Sequence, residues 1–185
     1  PAEIFFTSGG TESSNTAITG AVHDLGCKHI ITSAIEHHAT LHTVEYLDNK
    51  DEVTVSYVNV LPNGHIDLQH LEELIAASNE KKLVTLLHAN NEIGNITDLF
   101  AVGDICKKYN AIFYSDTVQT VGHFPFDLRN TPVHFITGSA HKFHGPKGVG
   151  LLYINENVQI KPFVHGGGQE RNMRAGTENV YGIVG

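Results

Sequence analysis

The residues of this chain most able to do chemistry lie in Ser139-Ala140-His141-Lys142-Phe143-His144-Gly145-Pro146-Lys147-Gly148, just past a short apolar strand expected at His134–Thr137. A lysine held between small residues and a tight Gly-Pro-Lys-Gly turn is placed to form a Schiff base with an aldehyde. That chemistry needs an unprotonated amine, and partial burial beside a second cation lowers a lysine pKa in the needed direction. The segment alone reads equally well as a surface lysine in a glycine-rich loop.

Four other polar clusters join it. In Thr7-Ser8-Gly9-Gly10-Thr11-Glu12-Ser13, two glycines allow close backbone approach. Hydroxyls and free helix N-terminal N–H groups there favour a phosphate, with ordinary capping by Thr11 as the alternative. The segment lacks the third glycine of a dinucleotide fingerprint and the Gly-Lys-Ser/Thr of a P-loop. Glu36-His37-His38 offers an imidazole that could stack on a heteroaromatic ring, or simply a polar histidine at a helix start. His38 and His42, four apart on an expected helix, would share a face as metal ligands, but no third ligand is positioned by sequence. His88-Ala89-Asn90-Asn91-Glu92-Ile93-Gly94 places amides where they could donate to a phenolic or carbonyl oxygen, or form an Asn-rich turn. In Ser115-Asp116-Thr117-Val118-Gln119, the carboxylate could pair with a pyridinium N–H or cap a helix. Taken together, the five segments supply a phosphate cradle, a stacking ring, an oxygen donor, a pyridinium partner and a Schiff-base amine. These are the parts pyridoxal phosphate requires.

Positioning them requires a scaffold. Short β-branched or aromatic runs alternate with helical patterns, which predicts an α/β protein: a three-layer α/β/α fold on a mostly parallel, seven-stranded sheet. Strands are expected at Ile4–Phe6, His29–Thr32, Val53–Val58, Leu83–Leu87, Ala111–Ser115, His134–Thr137 and Val149–Ile154. Helices are expected at Glu12–Leu25, about His38–Leu47, Leu68–Ala77 (capped by Asp67) and Leu99–Tyr109. The polar clusters fall just after expected strands, where such sheets collect ligands.

The 185 residues suffice for one domain, 1–185, with its own core. The net charge of -8 and the lack of a Lys/Arg cluster argue against nonspecific nucleic-acid binding. No apolar run reaches membrane-spanning length. Cys27 and Cys106 show neither metal nor redox spacing and read as buried thiols of a reducing compartment. Met173 is the only methionine, while the chain opens on Pro1 and closes on Gly182-Ile183-Val184-Gly185. The expectation is therefore a piece of a longer protein.

From Phe6 to about Asn179 the chain resembles the large domain of the NifS/IscS-like cysteine desulfurases, class V enzymes of pyridoxal-phosphate fold type I. The segments above carry the resemblance, together with His165-Gly-Gly-Gly-Gln-Glu-Arg171 and Arg174-Ala-Gly-Thr-Glu-Asn179. It implies that Lys142 and His37 are the catalytic pair, Lys142 as the Schiff-base amine and His37 stacked on the ring. Asp116 would hold the pyridine nitrogen, and Asn91 and Gln119 the phenolic oxygen or its surroundings. Gly10, Thr11, Ser139 and His141 would bind the phosphate. Thr177 would reach the phosphate of a homodimer partner, with Arg171 and Arg174 near the site mouth.

The implied reaction takes L-cysteine to L-alanine, with Lys142 a plausible base. Sulfur leaves as a persulfide for iron–sulfur cluster assembly or another acceptor, such as a scaffold protein, in the cytoplasm. The family's nucleophilic cysteine would lie beyond this chain, in a small C-terminal domain, and an N-terminal segment is absent too. The expectation is that this chain holds its cofactor weakly or not at all and cannot complete the reaction. Alternatives are a selenocysteine lyase, another class V lyase or aminotransferase, and a cofactor-free interaction scaffold.

Overall fold

The computed structural model describes residues 2–185. Seven strands form one sheet: β1 (Ile4–Thr7), β2 (His29–Ser33), β3 (Thr54–Val58), β4 (Lys82–Thr85), β5 (Ile112–Asp116), β6 (Phe135–Ser139) and β7 (Gly150–Ile154). Their order across the sheet is β1-β7-β6-β5-β4-β2-β3. The pairs β2–β3, β2–β4, β4–β5 and β5–β6 are parallel, whereas β7 runs antiparallel to both β6 and β1. Because β7 alone is reversed, the carboxyl ends of β1, β2, β4, β5 and β6 all emerge along one edge of the sheet.

The strands β2, β4, β5 and β6 are buried throughout. This suits a sheet covered on both faces and explains why they read as near-continuous β-branched and aromatic runs. Alternation divides their side chains between two cores. Ile30, Leu83, Tyr114 and Phe135 pack with Ile18, Ala21 and Val44 from α1 (Gly10–His23) and α2 (His38–Asp48). Ile31, Val84, Phe113 and Ile136 face Leu71, Ile75, Val102 and Cys106 from α3 (Leu68–Ala76) and α4 (Leu99–Lys108). A fifth, short helix, α5 (Val180–Val184), lies near the end of the chain and has no buried residue.

Local chemistry sets the helix starts. The Asp67 and Asp98 carboxylates accept from the backbone N–H groups at N2 and N3 of α3 and α4, a cap usually contributing about 1 kcal/mol. α1 departs from the expectation. It begins at Gly10, two residues earlier than expected, with Gly9 as N-cap and no side-chain cap. Thr11 lies inside the first turn, and the Glu12 carboxylate instead accepts from Ser8 N–H at 3.0 Å. Thr11 is thereby left free of a capping role. Among the described residues no helix is long and apolar enough to cross a membrane.

Candidate active site

At the carboxyl edge of the sheet a cavity of about 140 Å³ is lined by Gly10, Thr11, His37, Ala39, Leu87, Ala89, Asn91, Asp116, Val118, Gln119, Ser139, His141 and Lys142. Five strand ends deliver these residues: β1 brings Gly10 and Thr11, β2 His37, β4 Asn91, β5 Asp116 and Gln119, and β6 Ser139, His141 and Lys142. Nine of the ten residues singled out in the sequence as cofactor ligands meet here. The tenth, Thr177, is exposed and lines a separate hollow with Phe6, Ser8, Glu170 and Arg174.

Each side chain has a definite environment. The last residue of β5, Asp116, is buried, and its Oδ1 accepts from Val118 N–H at 2.9 Å. Burial holds its carboxyl above the usual range, against the lowering effects of the Val118 N–H, the His37 charge and the Thr137 hydroxyl. A carboxyl so placed gains from a cation at the cavity floor. His37 is the N-cap of α2, and its Nδ1 accepts from Ala39 N–H at 3.1 Å. That bond fixes the ring's orientation.

Ser139 Oγ lies 3.0 Å from His141 Nδ1, on the short 3-10 turn Ala140–Lys142. Opposite them is the N-terminus of α1, where a Cβ on Gly10 would meet Val118 Cγ2 at 2.7 Å. Any side chain at Gly10 would close the cleft between helix and strand end. Lys142 is exposed, contrary to the expected partial burial. The 3-10 turn carries it beyond the end of β6, to the open side of the cavity.

Sequence reasoning missed several supports. The Nε2 of His123 donates to Lys142 O at 2.7 Å, tying the β5–β6 connection to the lysine turn. Gly122, at φ 83°, lies against Phe143, whose Cβ would be 2.5 Å from an added Cβ. Beneath Asp116, the Tyr114 hydroxyl lies 2.7 Å from Ser14 Oγ, which donates to Gly10 O at 2.9 Å. A buried polar chain thus reaches from β5 to the first turn of α1. A tyrosine inside a buried strand was the available signal, but its partner is 100 residues away.

The His38 and His42 rings stack at 4.8 Å, and no group of three or more His, Cys, Asp or Glu side chains among the described residues is placed to hold a metal ion. Both cysteines are buried; burial pushes the Cys27 thiol up to about 11 and the Cys106 thiol up to about 12. Neither is a reactive thiolate near neutral pH.

Comparison with known proteins bears on this arrangement directly. Residues 1–185 match the family described as Aminotransferase class-V. The chain belongs to that family. A cysteine desulfurase IscS of Clostridium botulinum is 46% identical over 99% of this chain and 46% of its own length. The corresponding protein of Dictyoglomus turgidum is 48% identical over the same shares. Among solved structures, one titled as a NifS-like protein superposes with a TM-score of 0.94 at 46% identity, covering 100% of this chain and 51% of that one. Another, titled SspA in complex with cysteine, gives 0.92 at 34% identity, covering 100% of this chain and 53% of that one. The chain spans about half the length of the relatives it matches.

Members of this family depend on pyridoxal phosphate, and the cavity fits that group. It has an amine at its mouth, a buried carboxyl in need of a cation at its floor, and a narrow glycine-backed helix N-terminus at its side.

Proposed function

We propose that this chain is the cofactor-binding large domain of a cysteine desulfurase, which converts L-cysteine to L-alanine and passes the sulfur on as an enzyme persulfide. The convergence of Lys142, Asp116, His37 and the Gly10–Thr11 and Ser139–His141 pairs on one cavity carries the reading. Pyridoxal phosphate, when bound, supplies the electron sink for a carbanion at the substrate Cα.

The chain's own residues do the rest. Lys142 Nζ would provide the amine for the cofactor's aldehyde and a base for a substrate α-proton. Asp116, buried at the cavity floor, would pair with the pyridine nitrogen and favour its protonated form. His37 would pack on the ring and exclude water. Asn91 and Gln119 would donate to the phenolic oxygen. The N–H groups of the first α1 turn, with Thr11, Ser139 and His141, would hold the phosphate.

The persulfide forms on a cysteine other than Cys27 and Cys106, whose thiols are buried and protonated. Thr177, outside the cavity of its own chain, reaches the phosphate site of a second copy in a two-fold dimer. The names of the relatives, cysteine desulfurase IscS, support the substrate class.

The test is a visible-absorbance titration with pyridoxal phosphate, followed by borohydride and peptide mapping. The expected result is a yellow species whose reduction leaves the label on Lys142 and which Lys142→Ala does not form. Labelling spread equally over other lysines overturns the reading, as does a longer protein carrying this domain that stays colourless at saturating cofactor.

A further inference from the structure

The sheet reverses its winding between β2 and β4: the chain leaves β2 for β3 on one side and β4 for β5 on the other. These two strands stay in register only as far as Ile31 and Val84. Crevices at such reversals are the usual ligand sites of open α/β sheets. Here a side chain of the protein itself lies in the crevice. Glu36 is 5% exposed, and its Oε1 accepts from Leu87 N–H at 3.0 Å and from the Ser33 hydroxyl at 2.7 Å. The N–H groups of Leu86 and His88 bond to Tyr114 O and Asp116 O on β5, so Leu87 N–H points the opposite way, toward β2. Glu36 gives it the acceptor that a paired strand would have supplied. Beside it, Asn90 Nδ2 donates to Ile35 O at 2.8 Å. The loop carrying His37 is thereby locked to the loop carrying Asn91.

The other carboxyl oxygen, Oε2, is buried without a hydrogen-bond partner, and none of the ion pairs among the described residues includes Glu36. The charged group that bears on it from the neighbouring strands is Asp116 of β5, of like sign, and His37 follows it on its own loop. A bare carboxylate, buried, half-bonded and beside a second carboxylate, is far costlier than the same group un-ionised.

We propose that Glu36 is a positioning residue acting as an uncharged carboxylic acid, wedging the β2 and β4 loops together at the cavity and leaving the negative charge of that region to Asp116. Burial first, and then the Asp116 charge, push its carboxyl up to about 8, against the Leu87 and Ser33 hydrogen bonds. The effect on cofactor rests on the proposed function; the wedge and its protonation state do not.

The experiment uses the protein without cofactor first. Infrared difference spectra of wild type minus Glu36→Gln at neutral pH should show one protonated-carboxyl carbonyl band. Because the folded pKa is raised, the group's contribution to stability is whole below its ordinary value of 4.5 and is lost as pH rises through about 8. The melting temperature of Glu36→Gln relative to wild type should therefore climb across that interval. With pyridoxal phosphate, Glu36→Gln should bind within about threefold of wild type, while Glu36→Ala, lacking the acceptor for Leu87 N–H, should bind about tenfold or more weakly.

A missing carbonyl band, or a melting difference that does not change with pH, overturns the proposal. So does a Gln variant as impaired as the Ala variant. A wild-type chain that binds no cofactor leaves the infrared and melting arms to decide Glu36, and the proposed function then falls only if a longer protein carrying this domain also binds none.

Discussion

Two regions of this molecule are equally dense in distinctive residues and have opposite fates. The carboxyl edge of the sheet gathers five separate segments into one cavity. The segment 165–179 is instead laid along the outside of its own chain. Arg174 makes a two-pronged bond to Glu12, Nε to Oε1 at 2.8 Å and Nη2 to Oε2 at 3.0 Å. Arg171 donates to Ile4 O at 2.6 Å with its guanidinium 4.3 Å from the Phe5 ring centre, and Glu170 accepts from Phe6 N–H at 2.9 Å. β1 is an edge strand, and Arg171 and Glu170 serve its unpaired backbone groups, a common protection of such edges. Three consecutive non-glycine residues, Glu170, Arg171 and Asn172, sit at positive φ to achieve this. Chemistry-bearing residues become a site only where the sheet converges them; elsewhere the same residue types act as fasteners.

The contrast can be broken or sharpened by substitution. The largest effect belongs to Lys142→Ala, which should abolish the borohydride-trapped label altogether while leaving the melting temperature near wild type, because the side chain is exposed. Asp116→Asn should split two readouts. Cofactor affinity falls about thirtyfold or more, since a buried charge pair loses one partner. The cofactor-free protein is as stable as wild type or more so, since a strained carboxyl is removed. If both readouts fall together, Asp116 is a structural residue.

Thr177→Ala should leave cofactor binding unchanged in dilute, monomeric protein and weaken it only at concentrations where sedimentation shows dimer. Weakening in the monomer would place Thr177 at its own chain's site. Arg174→Ala should cost about 1 to 2 kcal/mol of stability at neutral pH without changing cofactor affinity. Burial raises the Glu12 carboxyl, but hydrogen bonds from Arg174 and Ser8 together with the Arg174 charge outweigh it, and the net shift is downward. The pair therefore stabilises above the ordinary value of 4.5, and its contribution fades as pH falls through the depressed folded pKa. The gap between wild type and Arg174→Ala should close in acid. The smallest effect is Asp98→Ala, about 1 kcal/mol of lost capping at α4, away from the cavity. Denaturant unfolding measures both.

The supports of the site were harder to read than its lining. Glu36 precedes a conspicuous histidine, yet nothing local announces that it bonds Leu87, 51 residues on. His123 lies outside every segment singled out in the sequence, and its link to Lys142 O goes with a turn at Gly122 that packs on Phe143. Thr11 is open to two readings in the sequence, phosphate binding or helix capping, and the capping one fails because the backbone enters the helix one residue before it.

The sequence by itself determined the alternation of strands and helices, the Asp67 cap and the cofactor-type side chains after the strands. All of these follow from local rules: side-chain periodicity, hydrogen bonds to a neighbouring N–H, and residue chemistry. Only the tertiary structure decided that β7 runs backward and so brings the end of β1 level with that of β6, that Thr177 stays outside the cavity of its own chain, and that Lys142 stands at the open side. It also decided that Glu36, rather than a ligand, fills the crevice between β2 and β4. Each of those outcomes depends on which strands become neighbours, and residues far apart in the chain acquire their burial and their partners only once that order is set.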